Sequence, residues 1–425
     1  MRSSMPRLRS VTPVPAADTP ARGSTARRPS LFDHAKAAPP IDPREIARMV
    51  ARTTGKSLLA QRREIIELNL AIGMITADEY YYYRLYDDRT FSRRDKRRFL
   101  GLAAQRRILP QCTDRTWWGV VHDKLIFQSV LQAYGVAMPR LVATYHPTRG
   151  FPGATALRTA TELARFFREG ASYPVFGKPF DGMFSVGSAR FDSYDAATDR
   201  LSLHTGAASV DDVVNELARY MRRGYLLQEV KHPDPRLHAV CGDRLGCLRV
   251  VMLLGPDGPE IFRALWKVPT GSHVADNFWR TGNMLAAIDI ATGRITRVVT
   301  GVGPDQREVD RHPDSGAMIL GTVFPQWERV KTVCLTTATA LPGLAMQAWD
   351  VAVCTDGPVV IEANVGGDFN LPQLAMGAGL LDERFERFLR ERGYTRRWKP
   401  LQAAYALAPR SVAVVSRLAR TARSR

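Results

Sequence analysis

The segment AWDVAVCTDGPVVIEANVGGDFN, from Ala348 to Asn370, holds Asp350, Glu362 and Asn364 inside otherwise apolar, β-branched runs. Two carboxylates and an amide oxygen on one face suit a hard cation such as Mg²⁺ that also holds substrate phosphates. The alternative is an exposed polar hairpin face, and register decides between them. Thr355-Asp356-Gly357-Pro358 is a turn signal, so the segment reads as a hairpin. A three-residue loop, Thr355 to Gly357, sets Cys354 opposite Pro358 and Asp350 opposite Glu362, with Asn364 on the same face by the two-residue strand period. A two-residue loop, Asp356-Gly357, shifts the pairing and sends Asp350 to the other side.

Upstream polar residues extend the set. Lys178 lies in an apolar run, YPVFGKPF, and is followed by DGMFSVG, whose Gly182, Ser185 and Gly187 could close backbone N–H groups over a phosphate. GxxxxGK[ST] is absent, so this is no P-loop, and an edge-strand lysine that merely snorkels is the competing reading. No Ser/His/Asp or Cys/His set stands out. His232 and His238 flank PDPRL in a loop and read as surface or structural.

The elements that must position these residues follow from periodicity. From Asp42 to about Leu109 the pattern is helical: Asp42 before Pro43 is a cap, and Thr76 with Glu79 forms a capping box ahead of YYYRLYD. RRDKRR, Arg93 to Arg98, reads as a solvated helix face. From Asp123, helix-like DKLIFQSVLQAYGV and TATELARFFREG alternate with strand-like PRLVATY and YPVFGKPF. Strand-like runs follow at 187–191, 225–231, 248–254, 260–268, 284–290 and 295–299. Several are joined by hairpin turns, which favours an antiparallel α+β domain over a doubly wound sheet.

The chain has 425 residues and 45% hydrophobic content, enough for a large core, and a formal net charge of +18. Residues 1–40 carry a net +5 and residues 396–425 a net +8, so the ends hold 13 of the 18 charges. This argues against a specific nucleic-acid-binding face and leaves the tails for anionic lipid, RNA or an acidic partner. The last segment, APRSVAVVSRLARTARSR, reads either as a weak basic amphipathic helix at a membrane surface or as a solvated tail. The N-terminus is Arg-, Ser- and Pro-rich without an apolar h-region, and is read as a disordered tail with a transit peptide as the alternative. Five cysteines with no CxxC pair point to a reduced, cytoplasmic setting, with peripheral association at the inner membrane face left to the tails. No run of about eighteen apolar residues occurs.

The order of features along the chain resembles the ATP-grasp superfamily, which includes D-alanine ligase, glutathione synthetase and ribosomal-protein glutamate ligases. A helix lysine, Lys124, precedes the strand lysine Lys178; an apolar strand ends in Gln228-Glu229; Arg249 and Lys267 sit on successive strands; VADNFWRTGNMLAAID follows; and Asp350 with Glu362-x-Asn364 comes last. EYYYYRLYD, CLRVVML and WDVAVCTDGPVVIEAN resemble the branch called sugar-transfer-associated ATP-grasp. The resemblance spans roughly Ile75 to Arg390. Two departures touch the acceptor side: Thr281-Gly282-Asn283 stands where a double glycine is usual, and NVGGDFNLPQ replaces the small-residue loop after Glu-x-Asn.

That resemblance implies two α+β subdomains gripping ATP over 119–395, with a hinge near 226–232, preceded by a helical region at 41–118. Lys124 and Lys178 would hold the α- and β-phosphates under a loop of Gly182, Ser185 and Gly187, and Gln228 and Glu229 would read adenine. Asp350, Glu362 and Asn364 would bind one or two Mg²⁺, or Mn²⁺. Arg249, Lys267 and Asn277 would face the γ-phosphate and the reacting carboxylate. The implied reaction is ligation: a carboxylate from a small molecule, glycan or peptide is activated as an acylphosphate and attacked by an amine or other nucleophile. A kinase acting on an alcohol and a nucleotide-sensing scaffold that binds lipid or nucleic acid through its basic tails remain the alternatives.

Overall fold

The computed structural model describes residues 32, 42–182, 186–271, 278 and 282–394. The tails read over 1–40 and 396–425, apart from Phe32, lie outside the described residues, as does the amphipathic segment.

Asp42 caps α1 (Pro43–Thr54) by accepting the Arg44 N–H at 2.9 Å, with Pro43 where no N–H is needed. After α2 (Leu58–Leu70), the capping box of Thr76 and Glu79 opens α3 (Ala77–Tyr82). α4 (Arg93–Lys96), α5 (Leu102–Cys112) and α6 (Trp118–His122) complete the N-terminal helical region. The Glu79 carboxylate also accepts the Leu102 N–H at 2.6 Å, so one side chain serves the starts of both α3 and α5. The 93–98 cluster is not wholly a solvated face. Arg93 and Arg97 meet Glu67 near the surface, but Lys96 is buried, and its amine meets Glu64 at 2.6 Å and also Asp88. Lys56 and the Tyr80 hydroxyl share the same Glu64. Sequence spacing missed this because Glu64 comes from α2, on a different helix from Lys96.

Beyond α7 (Lys124–Ala133) the chain forms two seven-stranded sheets. The first holds β1 (Leu141–Tyr145), β2 (Thr155–Leu157), β3 (Val175–Pro179), β4 (Ala189–Asp195), β5 (Arg200–Leu203), β6 (Gly206–Ser209) and β7 (Tyr225–Glu229), in the order β2-β1-β7-β3-β4-β5-β6. α8 (Ala160–Arg165) and α9 (Val210–Ala218) cover one face, where Val175, Phe191, Tyr225 and Leu227 meet Leu163, Val213 and Leu217. Phe32 joins this core, edge-on to Phe191 at 6.2 Å.

α10 (Pro235–Cys241) leads into the second sheet. It contains β8 (Cys247–Gly255), β9 (Gly258–Val268), β10 (Met284–Ile288), β11 (Ile295–Thr300), β12 (Arg307–Glu308), β13 (Met346–Cys354) and β14 (Gly357–Val365), ordered β12-β11-β10-β9-β8-β13-β14. α11 (Trp327–Ala338) precedes β13, and α12 (Asn370–Met376) and α13 (Glu383–Glu391) follow β14. Among the named strands every pairing is antiparallel except β1 with β2, as expected for an α+β fold.

Alternation gives the second sheet two unlike faces. Leu248, Val250, Trp266, Trp349, Val351 and Val360 pack beneath α11 and α7, with Trp349 stacked on Phe127 at 5.9 Å. On the other face, Val251, Leu253, Met346 and Ala348 are covered by α5 and α13 through Ile108, Cys112, Phe385 and Phe388. Farther along that same face the apolar cover ends and Arg249, Asp350 and Glu362 begin.

The turn after β14 is tightly fitted: Gly366 has φ +66°, and a Cβ on it would lie 1.7 Å from Leu109 Cδ2. Gly366→Ala should therefore cost about 2–4 kcal/mol from backbone strain and overpacking. In a Leu109→Ala background only the backbone part, about 1 kcal/mol, should remain. Urea midpoints for the four proteins of this cycle check it, and equal costs in both backgrounds would refute the steric account.

Candidate functional site

β13 and β14 are joined by two residues, Thr355 and Asp356, with Cys354 opposite Gly357. This is neither the three-residue loop expected from the sequence nor the two-residue alternative. Continued regularly, such a register would set Asp350 opposite Ile361 and turn Glu362 toward Trp349 and the core. A β-bulge prevents it: Val351 pairs with Val360, but Asp350 pairs with Glu362 and Ala348 with Asn364, leaving Ile361 as the extra residue. The expected juxtaposition of Asp350, Glu362 and Asn364 is therefore present, and its cause is the bulge rather than loop length.

On its other side β13 pairs with β8, where Asp350 opposes Arg249. The guanidinium grips the carboxylate in a fork, Nε to Oδ1 at 2.5 Å and Nη2 to Oδ2 at 3.1 Å, and Lys267 from β9 adds Nζ to Oδ2 at 3.0 Å. All three side chains are buried. Burial by itself would raise the Asp350 pKa, but Arg249 and Lys267 outweigh it and hold the carboxyl well below the usual range. For Arg249 burial opposes the charge, and Asp350 more than restores it.

Helix α7 and the first sheet supply one further cation each. Lys124, the first residue of α7, donates to the Gly182 carbonyl at 2.7 Å. Burial lowers its pKa, with Glu362 acting in the opposite direction. Lys178 on β3 is brought down to about 8, by burial first and then by Lys124, while Glu362 and Asp350 partly offset this. Lys178 thus feels the carboxylates of the second sheet, and residues from both sheets share one electrostatic site. Gly182 and Gly187 flank the expected phosphate loop, the latter held by its carbonyl accepting from the Tyr225 hydroxyl at 2.9 Å. Ser185 and Asn277 lie outside the described residues.

Gln228 is buried at the end of β7, opposite Phe176 and two residues along from Leu226, which pairs with Lys178. The Glu229 carboxylate is already engaged: it accepts the Arg140 N–H at 2.9 Å and pairs with Lys231 at 3.0 Å. Lys231 also reaches Asp356 in the β13–β14 turn at 2.7 Å, and the chain beyond it is fixed to that hairpin by Thr355 N–H to His232 O and Asp234 N–H to Val353 O. The incoming chain is tied in the same way, Val360 N–H to Ala137 O. Beside this junction Leu245, Cys247, Ala352, Cys354, Val359 and Ile361 form a small apolar patch. His232 and His238 are exposed, and His238 meets Asp243 at 3.2 Å.

The free polar atoms show what the site could hold. Among the described residues no hydrogen-bond or ion-pair partner meets the Glu362 carboxylate, and Asn364 Nδ2 is buried without one. Also among the described residues, no three or more His, Cys, Asp or Glu side chains come together as a metal site; Asp350 is held by Arg249 and Lys267, so a cation here would rest first on Glu362, with Asn364 and Asp350 beside it. That donor set is oxygen-rich and suits Mg²⁺ bridged to phosphate oxygens, which an amide N–H could also meet. One residue passed over in the sequence, Asp368, lies close enough to Arg249 for the guanidinium to favour its charge. The signal available was the Gly366-Gly367 pair just before it.

Asp350→Asn would leave two buried cations without their counterion and should cost about 3–5 kcal/mol at neutral pH. Because the folded-state pKa is depressed, this stabilisation is complete above the unfolded value of about 3.9 and is lost as pH falls through the folded value. Urea unfolding should show the gap between wild type and variant smaller at low pH than at neutral pH; a gap that widens on acidification would refute it.

Residues 104–387 match the family model described as sugar-transfer associated ATP-grasp. No curated protein matches. Solved structures with a similar fold include the ATP-grasp ligase PsnB complexed with a minimal precursor, at 13% identity and TM-score 0.36, covering 66% of this chain and 64% of that one. D-alanine–D-alanine ligase from Bacillus anthracis matches at 15% and 0.37, covering 66% and 71%, and a biotin carboxylase from Campylobacter jejuni at 10% and 0.41, covering 68% and 49%. The chain thus spans 64% of the first of these structures and about half of the last. The family match alone carries the assignment: it takes in both sheets and every described side chain of the site, and the chain belongs to the sugar-transfer associated ATP-grasp family.

Proposed function

We propose that the protein is an ATP- and Mg²⁺-dependent ligase that activates a carboxylate as an acylphosphate for attack by a nucleophile. The observation that carries this reading is the convergence of Lys124, Lys178, Arg249 and Lys267 around the Glu362 carboxylate and Asn364 Nδ2, which lack hydrogen-bond and ion-pair partners among the described residues. Phosphoryl transfer between anions needs cations and positioning more than a nucleophilic side chain.

In this reading Lys124 and Lys178 hold the α- and β-phosphates, with the loop of Gly182, Ser185 and Gly187 above them. The purine lies over the apolar patch of Cys247, Ala352 and Ile361, next to Gln228 and the backbone after it. The Glu229 carboxylate, occupied by Arg140 and Lys231, fixes the junction beside the purine. Asp350, Glu362 and Asn364 hold one or two Mg²⁺, for which Mn²⁺ is an acceptable substitute; the ion neutralises charge on the β- and γ-phosphates when bound. Arg249 and Lys267, with Asn277, orient the γ-phosphate and the reacting carboxylate. The substrate belongs to a small metabolite, glycan or peptide. Among the described residues no helix is long and apolar enough to cross a membrane; a cytoplasmic setting, with the basic tails touching anionic lipid, is the expected one.

Calorimetry with ATP and Mg²⁺ tests the site. Wild type should bind in a Mg²⁺-dependent way, and Glu362→Ala should lose at least about tenfold, or 1.4 kcal/mol. No binding by folded wild type would refute the reading. Mass spectrometry of turnover then separates the chemistries: condensation with free phosphate supports the ligase, and a phosphorylated alcohol would replace it with a kinase.

Lys178 gives a second test. Its pKa of about 8 in the free protein must rise when phosphates arrive, so binding near pH 8 should take up a proton. Affinity should be level below that value and fall as pH rises through it. The binding enthalpy should depend on the buffer's ionisation enthalpy, and Lys178→Met should abolish that dependence; a dependence that survives would assign the proton elsewhere.

A further inference from the structure

The turn after Glu362-x-Asn364 brings a carboxylate back over the site. Gly366 and Gly367, at φ +66° and +70°, reverse the chain, and a Cβ on Gly367 would lie 3.2 Å from the Ala348 Cβ. Ala348 is two residues from Asp350 on the same strand, so Asp368 returns above the face that carries Asp350. Helices of the N-terminal region fix this position. Gln105 on α5 donates Nε2 to the Gly367 carbonyl at 2.7 Å and accepts the Phe369 N–H at 3.4 Å, and the Tyr83 hydroxyl bonds Asn370 at the start of α12.

Asp368 Oδ1 accepts the Asn370 N–H at 2.9 Å, and the Asn370 side chain also bonds this carboxylate and favours its charged form. No Lys, Arg or His among the described residues comes within ion-pair distance of it. The charged and titratable groups that face it are Arg249 from β8 and Tyr82 and Tyr83 from α3. Burial raises the Asp368 pKa, with Asn370 and Arg249 opposing. Burial first, and Asp368 among the charges around them, hold both phenols well above their ordinary value, so they stay neutral. A carboxylate with no cationic partner among the described residues is suited to a cation that arrives with substrate.

We propose that Asp368 receives the acceptor, binding a primary ammonium group through its carboxylate and removing a proton from it. This rests on the ligase reading and narrows its nucleophile to an amine. The ammonium gives one proton to Asp368, and the freed lone pair attacks the acylphosphate carbon. The C–N bond forms as the C–O bond to phosphate breaks, and the departing phosphate keeps that electron pair and takes the second nitrogen proton. Asp368 returns its proton to solvent. Arg249, between Asp350 and Asp368, faces the carbonyl oxygen on which charge develops. A carboxylate whose pKa lies nearer the working pH is a better base for this step than an ordinary one.

The test uses the full chain with MgATP and a panel of amino acids, dicarboxylates and uronic acids as carboxylate donors. Each is offered hydroxylamine, an amine uncharged near neutral pH, or a panel of primary amines that are ammonium ions there. Wild type should give hydroxamates and amides. Asp368→Asn should lose amide formation about 100-fold more than hydroxamate formation, the size expected for a proton-transfer group, and Asp368→Glu should recover part of it. Should the Asn variant fail to fold by circular dichroism, Asp368→Ser serves for the same ratio. Equal loss of both products would make Asp368 merely structural and overturn the proposal, as would wild-type condensation with thiols or alcohols only. Wild type that forms no hydroxamate with any donor would sink the ligase reading itself, and the proposal with it.

Discussion

Asp350 lies buried between Arg249 and Lys267 in the interior of the second sheet, and much of the molecule follows from holding those three charges together. A carboxylate this far from water is tolerated only with partners in good geometry, and one carboxylate against two cations leaves an excess of positive charge. The strand order answers the first demand by setting β13 between β8 and β14, so the carboxylate, the guanidinium and Glu362 stand side by side. The bulge at Ile361 answers the second by turning Glu362 onto the same face rather than into the core. Asp350 and Glu362 together then match the charges of Arg249 and Lys267.

The hairpin, its polar residues and the antiparallel α+β class were legible in the sequence because two-residue alternation and turn residues are local signals. The register was not. Two loop lengths were weighed, and the actual loop, Thr355-Asp356, was neither; a bulge leaves no composition signature when the extra residue is another isoleucine in a β-branched run. The short strands β5 and β6 at one side of the first sheet also escaped, since LSLHTGAAS carries too few apolar residues for a clear alternation. Lys96 and Asp368 share one cause of failure: their environments are made by residues from other elements, which no single-chain pattern displays.

The helical region ahead of the sheets is part of the site's support. The family match begins at residue 104, yet Tyr83 and Leu100 lie before it and bond Asn370 and Gln373 around the loop that follows the candidate metal ligands. Glu79 in turn sets the start of α5, from which Gln105 reaches that loop. A chain of specific hydrogen bonds thus runs from a helix cap in the N-terminal region to the rim of the site.

The chain passes between the two sheets at two neighbouring points, after Ala137 and between Glu229 and Lys231, and backbone bonds anchor the hairpin side of each. Arg140 and Glu229 are themselves bonded to each other, so the two crossings lie side by side. A body attached at two adjacent pivots has one easy motion, rotation about the line through them, while sliding or twisting would break the paired backbone. Lever arms then rank the parts of the site. Val175, opposite Glu229 on β3, moves through a short arc, and Lys178, three residues on, through a longer one. Gly182 and Gly187, beyond the end of β3 that is remote from Glu229, lie farther from the pivots, so a small angular closure becomes a larger displacement there.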